Sequence, residues 1–263
     1  MSETAALRAA GIVAGYGDRE VLGGIDLELP RGQVTTVVGP NGCGKSTFVR
    51  VLSRLLRPTS GDVLLEGQSI GSFGGRELAR RLAMLPQSPV APEGMTVGEL
   101  AARGRQPHQP WYRQWSREDE EIAGQAMEAT GVADLADRPL EELSGGQRQR
   151  AWIAMALAQR TDLLLLDEPT SHLDLAHAVE VLDLVVALRR DAGKTVVLVL
   201  HDLSLAARYS DHLVVMDAGR VVATGAPAEV VTETMLSTVF GIDAHVFPDP
   251  VAGLPTVVPV GHA

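Results

Sequence analysis

Cysteine is nearly absent: among 263 residues Cys43 stands alone. A single thiol excludes an intrachain disulfide and any cysteine-rich metal site, which fits a reducing cytosol. Lysine is almost as scarce, with Lys45 and Lys194 the whole complement. Net positive charge is lacking too. With 33 acidic against 23 basic residues the formal charge is −10, so a sequence-independent grip on nucleic acid or anionic lipid, which depends on clustered cations, is not expected. Long apolar runs are also missing. Stretches such as 195–200, and 181–188 with Asp183 inside it, fall far short of the ~18 apolar residues a membrane-spanning helix requires. Residues 1–10 show no basic segment followed by an apolar core, so no signal peptide is expected. The length suits one large α/β domain with a helical insert.

One of the two lysines lies in the stretch Gly39, Pro40, Asn41, Gly42, Cys43, Gly44, Lys45, Ser46, Thr47. An apolar β-branched run precedes it and an amphipathic stretch follows from Phe48, which predicts strand, glycine loop, helix. In the spacing G-x-x-x-x-G-K-S, small residues curl the backbone so that N–H groups and a helix N-terminus point at phosphate oxygens. Lys45 would reach the outer phosphates, where a compact ammonium suits better than a planar guanidinium, and Ser46 would coordinate Mg²⁺. This predicts a nucleoside-triphosphate site.

Ahead of the loop, alternating runs around Ile12 and from Val21 to Leu29 predict antiparallel strands joined by a turn that carries Tyr16. Locally, Tyr16 reads as a turn tyrosine covering a strand edge. After the loop, a helix to about Leu56 should stop before Pro58; a strand over 61–67 and a helix near 77–81 follow. A strand over 82–87 should end at Gln87, an amide at a strand end, where open α/β sheets place ligands. From Ser88 to about Arg160 helices dominate, over 96–103, 116–130 and from Gly145. Ser116 with Asp119 resembles a capping box. Between the first two of these helices, Gly104 to Trp115 gathers Trp111, Tyr112, Trp115, Arg105 and Arg113, an aromatic and arginine mix typical of interfaces; the loop is expected either to fold onto its own helices or to form a docking surface for an incoming helix.

Ser144, Gly145, Gly146 and Gln147 open a helix with a bared N-terminus, a second phosphate-ready helix end. The run 163–166 predicts a strand buried on both faces and ends in Asp167 and Glu168. Adjacent carboxylates there are costly unless paired or bound to metal; Asp167 is expected in the Mg²⁺ shell and Glu168 is expected to polarise a water. A helix should run from Asp174 to Arg190, and a further buried strand should end at His201, where a γ-phosphate would sit. His177, His212, His245 and His262 read as structural.

In this order the motifs resemble an ATP-binding cassette (ABC) ATPase over essentially the whole chain. The resemblance implies a P-loop nucleotide hydrolase core with an antiparallel β subdomain and an inserted α-helical subdomain. Residues 1–263 would form one domain, with 1–87 and 161–263 as core and 88–160 as helical subdomain. It makes Tyr16 the adenine-stacking aromatic, Gly39 to Thr47 the Walker A loop and Gln87 the Q-loop glutamine. Leu143 to Gln147 becomes the signature motif, Glu168 the catalytic glutamate, Asp174 the D-loop aspartate and His201 the switch histidine. ATP and Mg²⁺ would be the cofactors. Two copies would face head to tail, each signature helix capping the other's ATP, and drive transmembrane permease subunits at the cytoplasmic face, with a substrate-binding protein engaged indirectly and no nucleic acid. Gly104 to Gln109, Trp115 with Ser116, Glu118 with Asp119, and the ending from Phe247 to Pro250 resemble the iron-siderophore uptake ATPases. Importers of haem, cobalamin or other metal chelates share this architecture; a soluble translation or repair ATPase is the distant alternative.

Overall fold

Chain contacts divide the structure, a computed structural model that describes residues 5–109 and 115–262, into two units: Met1–Ser72 with Arg189–Ala263, and Phe73–Leu188. In the first unit β1 (Ala5–Tyr16) and β2 (Arg19–Pro30) form a long antiparallel pair. Along β2, buried Ile25, Leu27 and Leu29 alternate with exposed Asp26 and Glu28, so one face meets the core and the other meets water. β3 (Val34–Val38) is instead buried at every residue, as befits a strand covered on both faces. α1 (Lys45–Leu52), β4 (Ser60–Leu65) and β5 (Gln68–Ser69) follow, and the antiparallel sheet has the order β2-β1-β4-β5.

α1 stops four residues short of the expected Leu56. Arg54 adopts φ 60, and the N–H groups of Leu55 and Leu56 turn back to the Arg50 carbonyl at 2.8 and 3.0 Å. A left-handed residue closes the helix before Pro58 can act.

The second unit contains α2 (Gly75–Ala79), β6 (Leu82–Leu85), α3 (Val97–Arg103), α4 (Arg117–Ala129), α5 (Gly145–Ala158), β7 (Leu163–Asp167) and all but the last four residues of α6 (Leu175–Ala192). Three of its helices begin at reciprocal capping boxes: Thr96 with Glu99, Ser116 with Asp119, and Ser144 with Gln147. Each box satisfies two N–H groups that would otherwise lack partners, which fixes these starts in the sequence. α3, α4 and α5 pack on one another, while β6 and β7 pair in parallel with Leu85 opposite Leu166.

The first unit then resumes with β8 (Thr195–Val199), α7 (Leu203–Tyr209), β9 (His212–Asp217), β10 (Arg220–Gly225), α8 (Pro227–Val230), α9 (Glu233–Met235), β11 (Ile242–Pro248) and β12 (Pro255–His262). β8 and β9 flank β3 in parallel, and β10 pairs antiparallel with β9. The turn between β9 and β10 puts both Ala218 (φ 42) and Gly219 (φ 77) in the left-handed region. That is the twist a two-residue hairpin favours, without the Asn-Gly or Asp-Gly signal that announces it. No helix among the described residues is long and apolar enough to cross a membrane.

The segment after α3 corrects one expectation. Trp111, Tyr112 and Arg113 lie outside the described residues, and Trp115 is half exposed. Arg105, expected to meet an incoming helix, is buried. Its Nε donates to Asp119 Oδ1 at 2.9 Å and its Nη1 donates to the Ala158 carbonyl at 2.9 Å. Around it, Arg80 Nε donates to the Pro107 carbonyl, and His108 Nε2 bonds to the Gln159 carbonyl at 2.7 Å. Burial, together with the Arg105 and Arg80 cations, pushes the His108 pKa down. Arg105 therefore fastens the turn after α3 to the starts and ends of its neighbouring helices.

Burial pushes the Asp119 carboxyl up, but hydrogen bonds from Arg105 and Ser116 outweigh it and hold the pKa below the usual carboxylate range. A depressed folded-state pKa contributes stability that is full above the ordinary Asp range and is lost as pH falls through the folded value. Arg105→Met should cost about 3–5 kcal/mol by leaving a buried carboxylate uncompensated, whereas Arg105→Met with Asp119→Leu should recover most of it. Chemical denaturation at neutral pH checks both, and the double variant should lose less stability than the parent below the Asp range.

Candidate functional site

In the first unit the phosphate-ready loop leaves β3 and enters α1. Gly39 has no room for a side chain: a Cβ there would sit 2.1 Å from the Met216 carbonyl oxygen. The Cys43 N–H bonds to the Pro40 carbonyl at 3.3 Å, and the Cys43 carbonyl accepts from Gly219 at 2.9 Å, so the loop is tied to itself and to the β9–β10 turn. Lys45 is buried, its Nζ donating to the Gly39 and Pro40 carbonyls at 2.8 and 3.0 Å. An ammonium has three N–H groups, and a phosphate oxygen can be served while two brace the loop. Asn41 and Gly42 are exposed at the tip, and Ser46 and Thr47 form the first turn of α1 with Lys45.

The Leu200 N–H bonds to the Val37 carbonyl at 3.3 Å, so β3 and β8 end side by side and the loop leaves the same sheet edge as His201. That carboxyl edge is where parallel sheets offer ligand sites. His201 is exposed, just before Asp202, which caps α7. Tyr16 ends β1, 47% exposed, with its hydroxyl accepting from Arg50 Nη1 of α1 at 3.0 Å.

In the second unit β6 and β7 also end side by side, and Gln87 Nε2 donates to Glu168 Oε2 at 2.5 Å. β6 stops at Leu85 because Pro86 has no N–H for the ladder, so Gln87 lies beyond the strand rather than ending it. Asp167 closes β7 and is buried; Glu168, next along, takes φ 52. A non-glycine residue held there stores strain of about 1–3 kcal/mol, and such positions cluster at functional sites. What holds it is Ser171, whose N–H and hydroxyl both donate to the Glu168 carbonyl, at 3.1 and 2.9 Å. Ser171 escaped the sequence reasoning; its signal was the spacing of a hydroxyl three residues after an acid that must turn.

Ser144 caps α5 through Gln147, with Gly145 and Gly146 in the first turn. Asp174 accepts from the His177 N–H at 2.9 Å and meets His177 Nδ1 at 2.7 Å, which draws the Asp174 pKa down. The oxygen donors expected around Mg²⁺ fall in both units: the Ser46 hydroxyl in the first, the Asp167 carboxylate and Gln87 amide in the second. All are hard ligands suited to Mg²⁺. Among the described residues no cluster of three or more His, Cys, Asp or Glu offers an alternative metal site.

A sequence profile of the family described as ABC transporter matches residues 22–171. Among curated proteins, the "Probable siderophore transport system ATP-binding protein YusV" of Bacillus subtilis (strain 168) is 50% identical over 247 residues, 94% of this chain and 90% of that protein. The "Ferric enterobactin transport ATP-binding protein FepC" of Escherichia coli (strain K12) is 48% identical over 262 residues, 99% of this chain and 97% of that protein. Among solved structures, the dimeric structure of MJ0796, a bacterial ABC transporter cassette, superposes with a TM-score of 0.74 at 25% identity over 84% of this chain and 98% of that one.

Although the loop contains a thiol, Cys43 is only 5% exposed. Burial raises its pKa, and the neighbouring Lys45 charge offsets this only in part. An apolar, protonated thiol is a poor nucleophile. N-ethylmaleimide should therefore label Cys43 at least about 10²-fold more slowly in the native chain than after denaturation, as mass spectrometry of timed samples would measure; equal rates would show an accessible loop.

Proposed function

The chain belongs to the ABC transporter family, and from that premise we propose that it is the subunit that energises uptake of an iron-siderophore complex through a separate membrane permease. As a family member it binds and hydrolyses ATP. The observation that carries the substrate reading is 48–50% identity, over nearly the full length of both partners, to proteins whose names specify siderophore and ferric enterobactin transport.

The residue roles follow from chemistry. Gly39, Pro40, Asn41, Gly42, Cys43 and Gly44 supply the backbone curve, Lys45 balances the outer phosphates, and Tyr16 offers its half-exposed ring to the adenine. Mg²⁺, when bound, neutralises phosphate charge, with Ser46, Asp167 and Gln87 as its holders. Glu168 accepts the proton of the attacking water, and its hydrogen bond from Gln87 sets the carboxylate's orientation. His201 contacts the γ-phosphate from the edge shared with the loop. Two copies pair head to tail, so that Ser144, Gly145, Gly146, Gln147 and Asp174 of one complete the nucleotide site of the other; a dimeric relative of the same fold supports this. The subunit then sits peripherally at the cytoplasmic face of the membrane, coupling closure and opening of the dimer to its permease as a ligand-biased switch.

Lys45→Ala should abolish hydrolysis, and Glu168→Gln should lower turnover by roughly 10² to 10⁴ while ATP binding persists. Phosphate release and equilibrium dialysis separate the two effects, and near-normal turnover in either variant would remove the assignment. Cells lacking the subunit should regain uptake of a radiolabelled ferric siderophore only with the unaltered chain; restored haem or cobalamin uptake instead would reassign the cargo.

A further inference from the structure

His177, which the sequence pattern reads as a structural histidine, contacts two of the proposed nucleotide-site motifs at once. Its backbone N–H and Nδ1 both engage Asp174 Oδ1, at 2.9 and 2.7 Å. Its ring lies over the signature turn: a Cβ on Gly146 would fall 2.4 Å from His177 Cδ2 and 2.7 Å from Cγ. Gly146 is not in a left-handed conformation, so glycine is required there by the imidazole rather than by the backbone. The neighbouring Gly145 is similarly approached by Leu173, with a Cβ position 3.4 Å from Cδ2. The segment 173–177 thus packs directly on the N-terminus of α5.

We propose that His177 is a positioning residue for the composite nucleotide site: it holds Asp174 and the Gly145-Gly146 turn in one fixed relation, so that both meet a second copy of the chain together. This rests on the head-to-tail reading above. Neither group touches the reacting atoms through His177 itself. Its contribution is to remove the freedom of two loops that must otherwise be ordered when the dimer closes, a cost that falls on association. Asp174 is held doubly, as the cap of α6 through the His177 N–H and as the partner of its ring, and the depressed Asp174 pKa accords with a carboxylate kept ionised by that pairing.

The test uses the Glu168→Gln background, where ATP should accumulate the dimer. Dimer fraction against protein concentration is read by analytical ultracentrifugation with ATP and Mg²⁺. His177→Ala in that background should raise the half-dimerisation concentration roughly tenfold, with the melting temperature and ATP affinity of the monomer unchanged. His177→Asn, which keeps an atom at both the Nδ1 and Cδ2 positions, should restore dimerisation. Equal dimerisation of the alanine variant would overturn the positioning role while leaving the dimer reading intact. An alanine variant whose monomer melts markedly lower, or an asparagine variant no better than alanine, would likewise overturn it in favour of a folding role. Failure of Glu168→Gln itself to dimerise would overturn the head-to-tail reading and the proposal with it.

Discussion

The glycine loop before α1 is a curve of backbone that no apolar packing could hold, and the two hydrogen bonds from Lys45 to the Gly39 and Pro40 carbonyls are what brace it. Everything around the loop serves that geometry. Met216 presses its carbonyl against Gly39, Gly219 bonds to Cys43, and the fully buried β3 fixes the point of departure. In the proposed nucleotide site the same ammonium that braces the loop would meet the outer phosphates, so that folding and ligand recognition would use one group. A guanidinium is bulkier and planar, and fits a slot shaped for a compact, buried ammonium less well.

The second unit solves a different problem, how to present a carboxylate at the end of a buried strand. Asp167 remains in the strand, while Glu168 turns out through a left-handed backbone that an ordinary residue avoids. Ser171 meets the turned carbonyl with two donors and Gln87 meets the carboxylate with one. Strain at this position is thus balanced locally by hydrogen bonds, which keeps the acid oriented. His177 extends the same logic one turn further along, locking the residue that caps α6 against the glycine turn that opens α5.

Polar groups in the helical part of this unit serve architecture. The buried Arg105–Asp119 pair stands where an interface arginine was expected, and its burial follows from how much it satisfies: the capping carboxylate of α4 and the last-turn carbonyl of α5. An isolated Asp119 at that depth would be expensive, and the guanidinium removes the cost while joining three segments of chain.

The sequence by itself determined the elements whose signals are local. Apolar runs marked β3, β7 and β8, alternation marked β2, hydroxyl and carboxylate spacing marked the start of α4, paired glycines marked that of α5, and the glycine-lysine spacing marked a loop between β3 and α1, because strand burial, capping and loop curvature are written within a few residues. Only the tertiary structure decided the rest. Arg54 ended α1 through a backbone conformation that no residue-type rule foretells, and the β9–β10 hairpin turned on Ala218, a residue with no turn preference. Cys43 and Arg105 became buried, and His177 came to lie on Gly146, thirty-one residues earlier in the chain. For Arg105 and His177 the deciding contact joins residues well separated in sequence, whereas Arg54 and Ala218 depend on a backbone conformation their residue types do not announce; periodicity and spacing encode neither.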